Sequence, residues 1–357
     1  MSEPTGAASP GLTSDEGARR EGDASRAPVG ERMGRLRIAI HSDLREHGDQ
    51  ATVYREMLSL FVHAESLGFD SGWVRSYHFR RPGQGFSFPG GLPSPFIFLG
   101  AVASRTSRLR LGTSVVPLPL ENVVRVAEDA AVLDALSGGR FELGVSNGGQ
   151  PHVAAALGVP LDKSVAAQLS RLSALVSALD GSPLGDTKQE LNPPAPGLSS
   201  RIWESALTSQ TGRDSAARGN GVLIGSTQTV PAEVTALAYH SALPDGVAPR
   251  VGLVVNIHVA ASRSVALDEL EEDIETVYAW GRDWLPFAST LEEKAAAINV
   301  HYGTPSDIAV SIGSFPAFPY VTELQFAVAY GTRSYQRRLA AVEAIASAIA
   351  PALGWSR

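Results

Sequence analysis

From residue 36 onward the chain repeats one unit, a short apolar run followed by an amphipathic stretch, and this alternation constrains the fold more than any other feature. Residues 36–40 (LRIAI) are apolar and partly β-branched, the pattern of a buried strand. Val53, Met57, Leu60, Phe61, Ala64 and Leu67 then recur at helical spacing, and Gly68 stands where a C-cap belongs. Further strands are predicted over 69–74, 109–116, 140–145, 202–207, 222–225, 251–259 and 324–329. Helices are predicted between them, among them 95–104, 123–136 closed by Gly138 and Gly139, and a last one bearing Leu339, Val342, Ile345 and Ile349 that Pro351 stops. Eight strand–helix units in series call for parallel strands joined by helical crossovers. Over roughly 325 residues the α/β class, as a single-domain (β/α)8 TIM barrel with insertions, accommodates them. A doubly wound open sheet is the competing architecture. Against it, no G-x-G-x-x-G follows the first strand, and residues 43–49 are too charged to cradle a pyrophosphate. Two long connections, 181–197 and 283–305, read as surface insertions or lids.

Residues 1–33 stand apart from that rhythm. They are rich in Gly, Ala, Ser, Pro, Glu and Arg and carry too few large apolar side chains to offset the entropy of ordering, so a disordered tail is expected before a barrel over 34–357. Arg19 and Arg20 are followed by Glu21, Gly22 and Asp23 rather than an apolar stretch, which argues against a twin-arginine export signal. Lys plus Arg number 30 against 37 Asp plus Glu, a net charge of −7 that offers no footprint for nucleic acid or an anionic membrane. The absence of cysteine excludes a disulfide scaffold, an iron–sulfur cluster and a cysteine nucleophile. No run reaches the ~18 apolar residues of a membrane span. The eight histidines are scattered with no H-x-x-x-H, so no metal site is expected. The Glu271–Glu272–Asp273 run reads as a solvated helix face. A cytoplasmic protein acting on small molecules is the resulting expectation.

Barrel chemistry lies at the C-terminal ends of the strands. Those ends carry His41, then Tyr77 and His78, then Thr113, Ser114 and Val115, then Ser146 and Asn147, then Glu204 and Ser205. Ser209, Gln210, Thr211 and Gly212 open the following helix, with Ser209 as expected N-cap. The free amides of Gln210, Thr211 and Gly212 would point the positive end of the helix dipole at an anion, with Arg213 adding charge. Ser209 as an ordinary cap with no ligand is the alternative. Tyr77 and His78 precede a Gly- and Pro-rich loop over 80–93, where an imidazole and a phenol can relay protons or bond a ring carbonyl. A buried, satisfied His78 packed under that loop is the plainer alternative.

Longer stretches are more specific. GFDSGWVRSYHF (68–79), SPFIFLGAVASRTSRLRLGTSVVPLPL (94–120) and RVAEDAAVLDALSGGRFELGVSNGG (125–149) are joined by ALGV (156–159), IWESALTSQTGRDSAARGNG (202–221) and GTPSDIA (303–309). Together they resemble the bacterial luciferase-like flavin monooxygenase family. The resemblance implies a (β/α)8 barrel binding reduced FMN from a separate flavin reductase, or the deazaflavin F420 in one branch. It implies O2 as co-substrate, oxygenation of a small or medium organic substrate through a C4a-peroxyflavin, and a homodimer. Thr113, Ser114 and Val115 match the end of strand three, where the family often has a cis non-prolyl bulge against the isoalloxazine, with Ser114–Val115 the candidate peptide. Glu204, Ser205 and Ser209 to Gly212 match the phosphate-binding segment.

Two departures stand out. The family's adjacent histidines in EHHF are here Tyr77 and His78, so a phenol, a poor general base at neutral pH, takes the catalytic position. The Cys–Arg pair that reaches the flavin phosphate is here Ser146–Asn147, and its cation is lost. A two-component FMN monooxygenase is therefore the first expectation. An F420-dependent hydride transferase and a non-catalytic flavin-binding barrel or subunit are the alternatives.

Overall fold

The computed structural model describes residues 35–44, 49–79, 91–227, 230–283, 285–328, 330 and 334–357. The tail expected over 1–33 and most of the 80–93 loop lie outside these residues. Ten strands follow in chain order: β1 (Arg37–Ser42), β2 (Ser71–Val74), β3 (Arg110–Thr113), β4 (Val116–Pro117), β5 (Phe141–Ser146), β6 (Ile202–Ser205), β7 (Gly221–Ile224), β8 (Val251–Val259), β9 (Val300–Gly303) and β10 (Glu323–Ala327). The parallel pairings run β1–β2–β3–β5–β6–β7–β8–β10, and β10 returns to β1 at Ile38↔Leu324. Eight parallel strands thus close into a barrel with helices outside, the expected (β/α)8 architecture.

The strands are short and almost wholly buried because each faces the barrel interior on one side and a helix on the other. Gly68 caps the helix Gln50–Leu67 in the left-handed conformation, as its position in the sequence implied. Inside the barrel Trp73 and Trp203 meet edge to face at 5.4 Å and fill its lower half. Below them the N-terminal strand ends supply two buried carboxylates. Glu323 accepts the Trp73 indole N–H at 2.6 Å and pairs with Arg37 at 3.1 Å. Glu142 takes the Trp203 indole N–H and pairs with Arg110. Burial pushes the Glu323 carboxyl up while Arg37 opposes the shift. This polar plug fills the N-terminal end of the barrel, and a cavity lies toward the C-terminal ends of the strands.

Several expectations are corrected. The single strand predicted over 109–116 is broken between β3 and β4. The 283–305 connection holds the helix Leu291–Ala297 and β9, which pairs with the outer end of β8 rather than entering the barrel. With the helix Arg263–Gly281 these build a second small core around Leu270, Ile274, Ile298 and Tyr302, which explains why an insertion carries apolar residues at all. The 181–197 connection is irregular, yet Leu191 and Ala195 anchor it in the main core, so it is not a detached lid. Asp273 is buried rather than solvated, because it shares the inward helix face with Leu270 and Ile274. The last helix passes through a π turn at Ile345–Ile349 and takes Pro351 into its final short turn instead of stopping before it.

Candidate active site

A cavity of about 270 Å3 opens at the C-terminal mouth of the barrel. Of the side chains singled out in the sequence, it brings together Tyr77 and His78 after β2, Ser114 and Val115 after β3, Ser146 at the end of β5 and Ser205 at the end of β6. Leu223, Ile224 and Val254 supply apolar wall from β7 and β8. The backbone N–H of Tyr77 donates to the Leu92 carbonyl at 2.9 Å, tying this segment to the returning chain.

The break between β3 and β4 shapes the cavity. Gly112 pairs with Glu142, but Val116 pairs with Val145, so β3–β4 spends one more residue than β5 over the same span. The extra residue makes a bulge, the device by which strands re-aim side chains beside sites. The Ser114–Val115 peptide within it is cis, at the peptide marked in the sequence. Thr113 lies beneath the bulge and does not line the cavity. Its hydroxyl accepts the Gly144 N–H and donates to the Gly144 carbonyl, both at 2.9 Å, which replaces the ladder bonds lost at the break. Gly144 admits this approach because a Cβ there would stand 1.9 Å from the Thr113 carbonyl oxygen.

A smaller pocket adjoins at Ser146 and Ser205 and adds Asn147, Gln168, Arg171 and Glu204 to its walls. Asn147 donates its amide N–H to the Lys163 carbonyl at 2.8 Å, which leaves its buried Oδ1 with no hydrogen-bond partner. The Glu204 carboxylate is turned onto Arg218, at 2.7 and 2.9 Å, and onto Asn220 at 2.9 Å, so its side chain serves the fold.

The next helix, Ser209–Ala217, begins differently from expectation. Thr208, not Ser209, is the N-cap. Its hydroxyl accepts the Thr211 N–H at 3.2 Å, while the Thr211 hydroxyl accepts the Thr208 N–H at 3.1 Å. Gly212 donates to the Thr208 carbonyl and lies against the Thr235 carbonyl of the neighbouring helix, a packing position. The amides of Thr211 and Gly212 are thereby spent, and those of Ser209 and Gln210 are the first-turn donors outside the capping box. Ser209 to Gly212 line neither pocket; the cavity wall reaches this segment at Leu207. Arg213 is held on its own helix by Gln210 at 3.1 Å.

The electrostatics centre on His78 and on a residue that sequence reasoning passed over. His78 Nε2 lies 3.8 Å from the Glu121 carboxylate, beyond hydrogen-bond reach. Burial pushes the imidazole below its ordinary value. Burial, reinforced by Asp129, pushes the Glu121 carboxyl up. The missed residue is Arg75, the one formally charged side chain among the described residues lining the cavity. It sits one position past β2, where the barrel rule directs attention, but beside Tyr77 and His78 it drew none.

A family model described as luciferase-like monooxygenase matches residues 35–314. The chain belongs to that family. It is 32% identical over 235 residues to 4-hydroxyprotoasukamycin monooxygenase of Streptomyces nodosus subsp. asukaensis, covering 60% of this chain and 61% of that protein. The first curated relatives it matches are spanned over less than half their length, 41% and 47%. The oxygenating constituent of 3,6-diketocamphane monooxygenase from Pseudomonas putida, solved with FMN, shares the fold at TM-score 0.67 and 16% identity, over 89% of this luciferase-like chain and 98% of that one. An F420-dependent secondary alcohol dehydrogenase, solved with an F420–acetone adduct, does so at TM-score 0.68 and 13% identity, over 90% and 99%. Among the described residues no helix is long and apolar enough to cross a membrane.

Proposed function

We propose that this protein is the oxygenase component of a two-component flavin monooxygenase, using reduced FMN and O2 to oxygenate a small or medium organic substrate. The observation that carries it is the bulge at Ser114–Val115, set on the wall of the cavity at the barrel mouth. Other features of the chain fit the cofactor. The orphaned Asn147 Oδ1 is an acceptor suited to a ribityl hydroxyl. The first-turn amides of Ser209 and Gln210 offer donors to a phosphate, and Arg171 in the adjoining pocket replaces in charge the arginine absent at Asn147.

Bound reduced FMN would supply the electrons that activate O2. The chain's own residues would do the rest. Ser114 and Val115 would support the ring, and Leu223, Ile224 and Val254 would keep water from it. His78, neutral through burial, would accept a proton within the cavity, and Tyr77 would donate a hydrogen bond to the substrate. A separate reductase would deliver the FMN in the cytoplasm. The homodimer belongs to the same proposal, supported by exposed Ile97 on the helix Pro95–Ala103 and Val132 and Leu136 on the helix Val123–Ser137.

Anaerobic titration with reduced FMN and reduced F420, followed by rapid mixing with O2, tests this. Preferential FMN binding, with bound flavin reoxidising measurably more slowly than free flavin, is the expected result. Preferential F420 binding with no response to O2 would move the protein to hydride transfer. Tight flavin binding with reoxidation as fast as in free solution would leave a non-catalytic flavin barrel.

A further inference from the structure

The cavity is asymmetric in charge. Among the described residues its wall is otherwise apolar or uncharged polar, and Arg75 is its one formally charged side chain. Two to three strands further round, between β5 and β6, lie the residues suited to a cofactor phosphate, Ser205 and Arg171. Arg75 is therefore placed for a different anion.

Its placement is built rather than incidental. The Arg75 backbone N–H donates to the Ser42 carbonyl at 3.1 Å, which fixes the residue against the end of β1. Asp43, outside the cavity lining and only slightly exposed, holds Nη1 at 3.4 Å from behind, and the guanidinium carbon lies 5.9 Å from the Tyr77 ring centroid. A cation held between a carboxylate and an aromatic ring keeps its position in the empty site, so little side-chain entropy remains to be lost on binding. A guanidinium matches a carboxylate through parallel N–H···O bonds, and an ionised group enters an apolar cavity only where such a partner waits.

We infer that the substrate is a carboxylate, its anionic group taken up by Arg75 beside Tyr77 and its apolar body laid along Val115, Leu120 and Val153. This names the substrate class of the monooxygenase site and rests on that reading for the reaction, while the preference itself is a binding property that can be measured without flavin.

The test is calorimetric titration of the full chain with hexanoate, octanoate and benzoate and with the corresponding primary amides at pH 8. Wild-type protein is expected to prefer at least one carboxylate over its amide about tenfold or more. Arg75→Gln should reduce that preference to about twofold or less, and Arg75→Lys should keep part of it. Equal affinity for acids and amides, no binding by any acid, or a preference unchanged in Arg75→Gln would overturn the inference. A parallel titration with reduced FMN and reduced riboflavin separates the remaining source of an anion. Loss of FMN affinity alone in Arg75→Gln would assign Arg75 to the cofactor phosphate and overturn the substrate role. Failure of wild-type protein to bind any flavin would instead count against the monooxygenase reading and leave the acid–amide comparison intact.

Discussion

His78 and Glu121 face each other across 3.8 Å at the cavity mouth, and the same burial drives both toward their neutral forms. An imidazole kept neutral below its ordinary range remains a competent proton acceptor into mildly acid solution. His78→Gln should lower turnover about 100-fold, within the span general acid–base catalysis contributes, with reduced-FMN affinity within about twofold. In the wild type, activity should persist below the pH at which a solvent-exposed histidine would protonate. Glu121→Gln removes an acid that favours the protonated imidazole when ionised, so the acid limb of the rate profile should move to lower pH. Anaerobic titration and a pH–rate series check these outcomes, and an unmoved limb would break the link between the two residues.

The Thr208–Thr211 capping box orders the turn that presents the Ser209 and Gln210 amides. Thr208→Ala should cost about 1 kcal/mol of stability. It should weaken reduced FMN severalfold but leave reduced riboflavin, which lacks the phosphate, unchanged. Parallel fluorescence titrations of the two ligands decide the matter, and equal losses for both would remove the helix terminus from the phosphate site.

Gly144 and Thr113 hold the chain together where β3 breaks. Gly144→Ala forces a methyl onto the Thr113 carbonyl and should cost about 3 kcal/mol, the upper part of the usual overpacking range. Thr113→Val keeps the shape but strips the Gly144 N–H and carbonyl of their bridge, at a cost of about 1–3 kcal/mol. Thr113→Ser, which retains the hydroxyl, should recover most of that loss in urea unfolding.

His301 provides a stability test away from the cavity. Asn299 donates its amide to the Val254 carbonyl, so its oxygen faces His301 Nε2, which donates, while Nδ1 accepts from Ser311. Burial pushes this imidazole down to about 4. Above the unfolded value near 6.5 both states are neutral and the full stability is present. As the pH falls toward 4 the unfolded chain takes up a proton that the folded site refuses. About 2–3 kcal/mol should therefore be lost between pH 7.5 and 4.5. Urea midpoints at the two pH values, compared between wild type and His301→Gln, should show a smaller drop in the variant.

The sequence by itself determined the eight strand–helix units, the Gly68 cap and the strand ends that carry Tyr77, His78, Ser114, Ser146 and Ser205. These follow from periodicity and turn chemistry within some twenty residues, where backbone and side-chain preferences act directly. The choice of Thr208 over Ser209 as cap was local, a reciprocal pair of hydroxyls three residues apart, and composition left it open only because both residues are acceptable caps. Only the tertiary structure decided the rest. The bulge at Ser114 and Val115 is a mismatch of register with β5, invisible in either strand alone. The side chain of Glu204 went to Arg218 because a buried carboxylate needs compensation from whatever cation folding brings near it. Arg75 became the charged group of the cavity wall because Asp43 and Tyr77, which hold it, come from two different strand ends. The register of the bulge and the setting of Arg75 depend on contacts between strand ends that meet only once the barrel has closed, and no local periodicity encodes them.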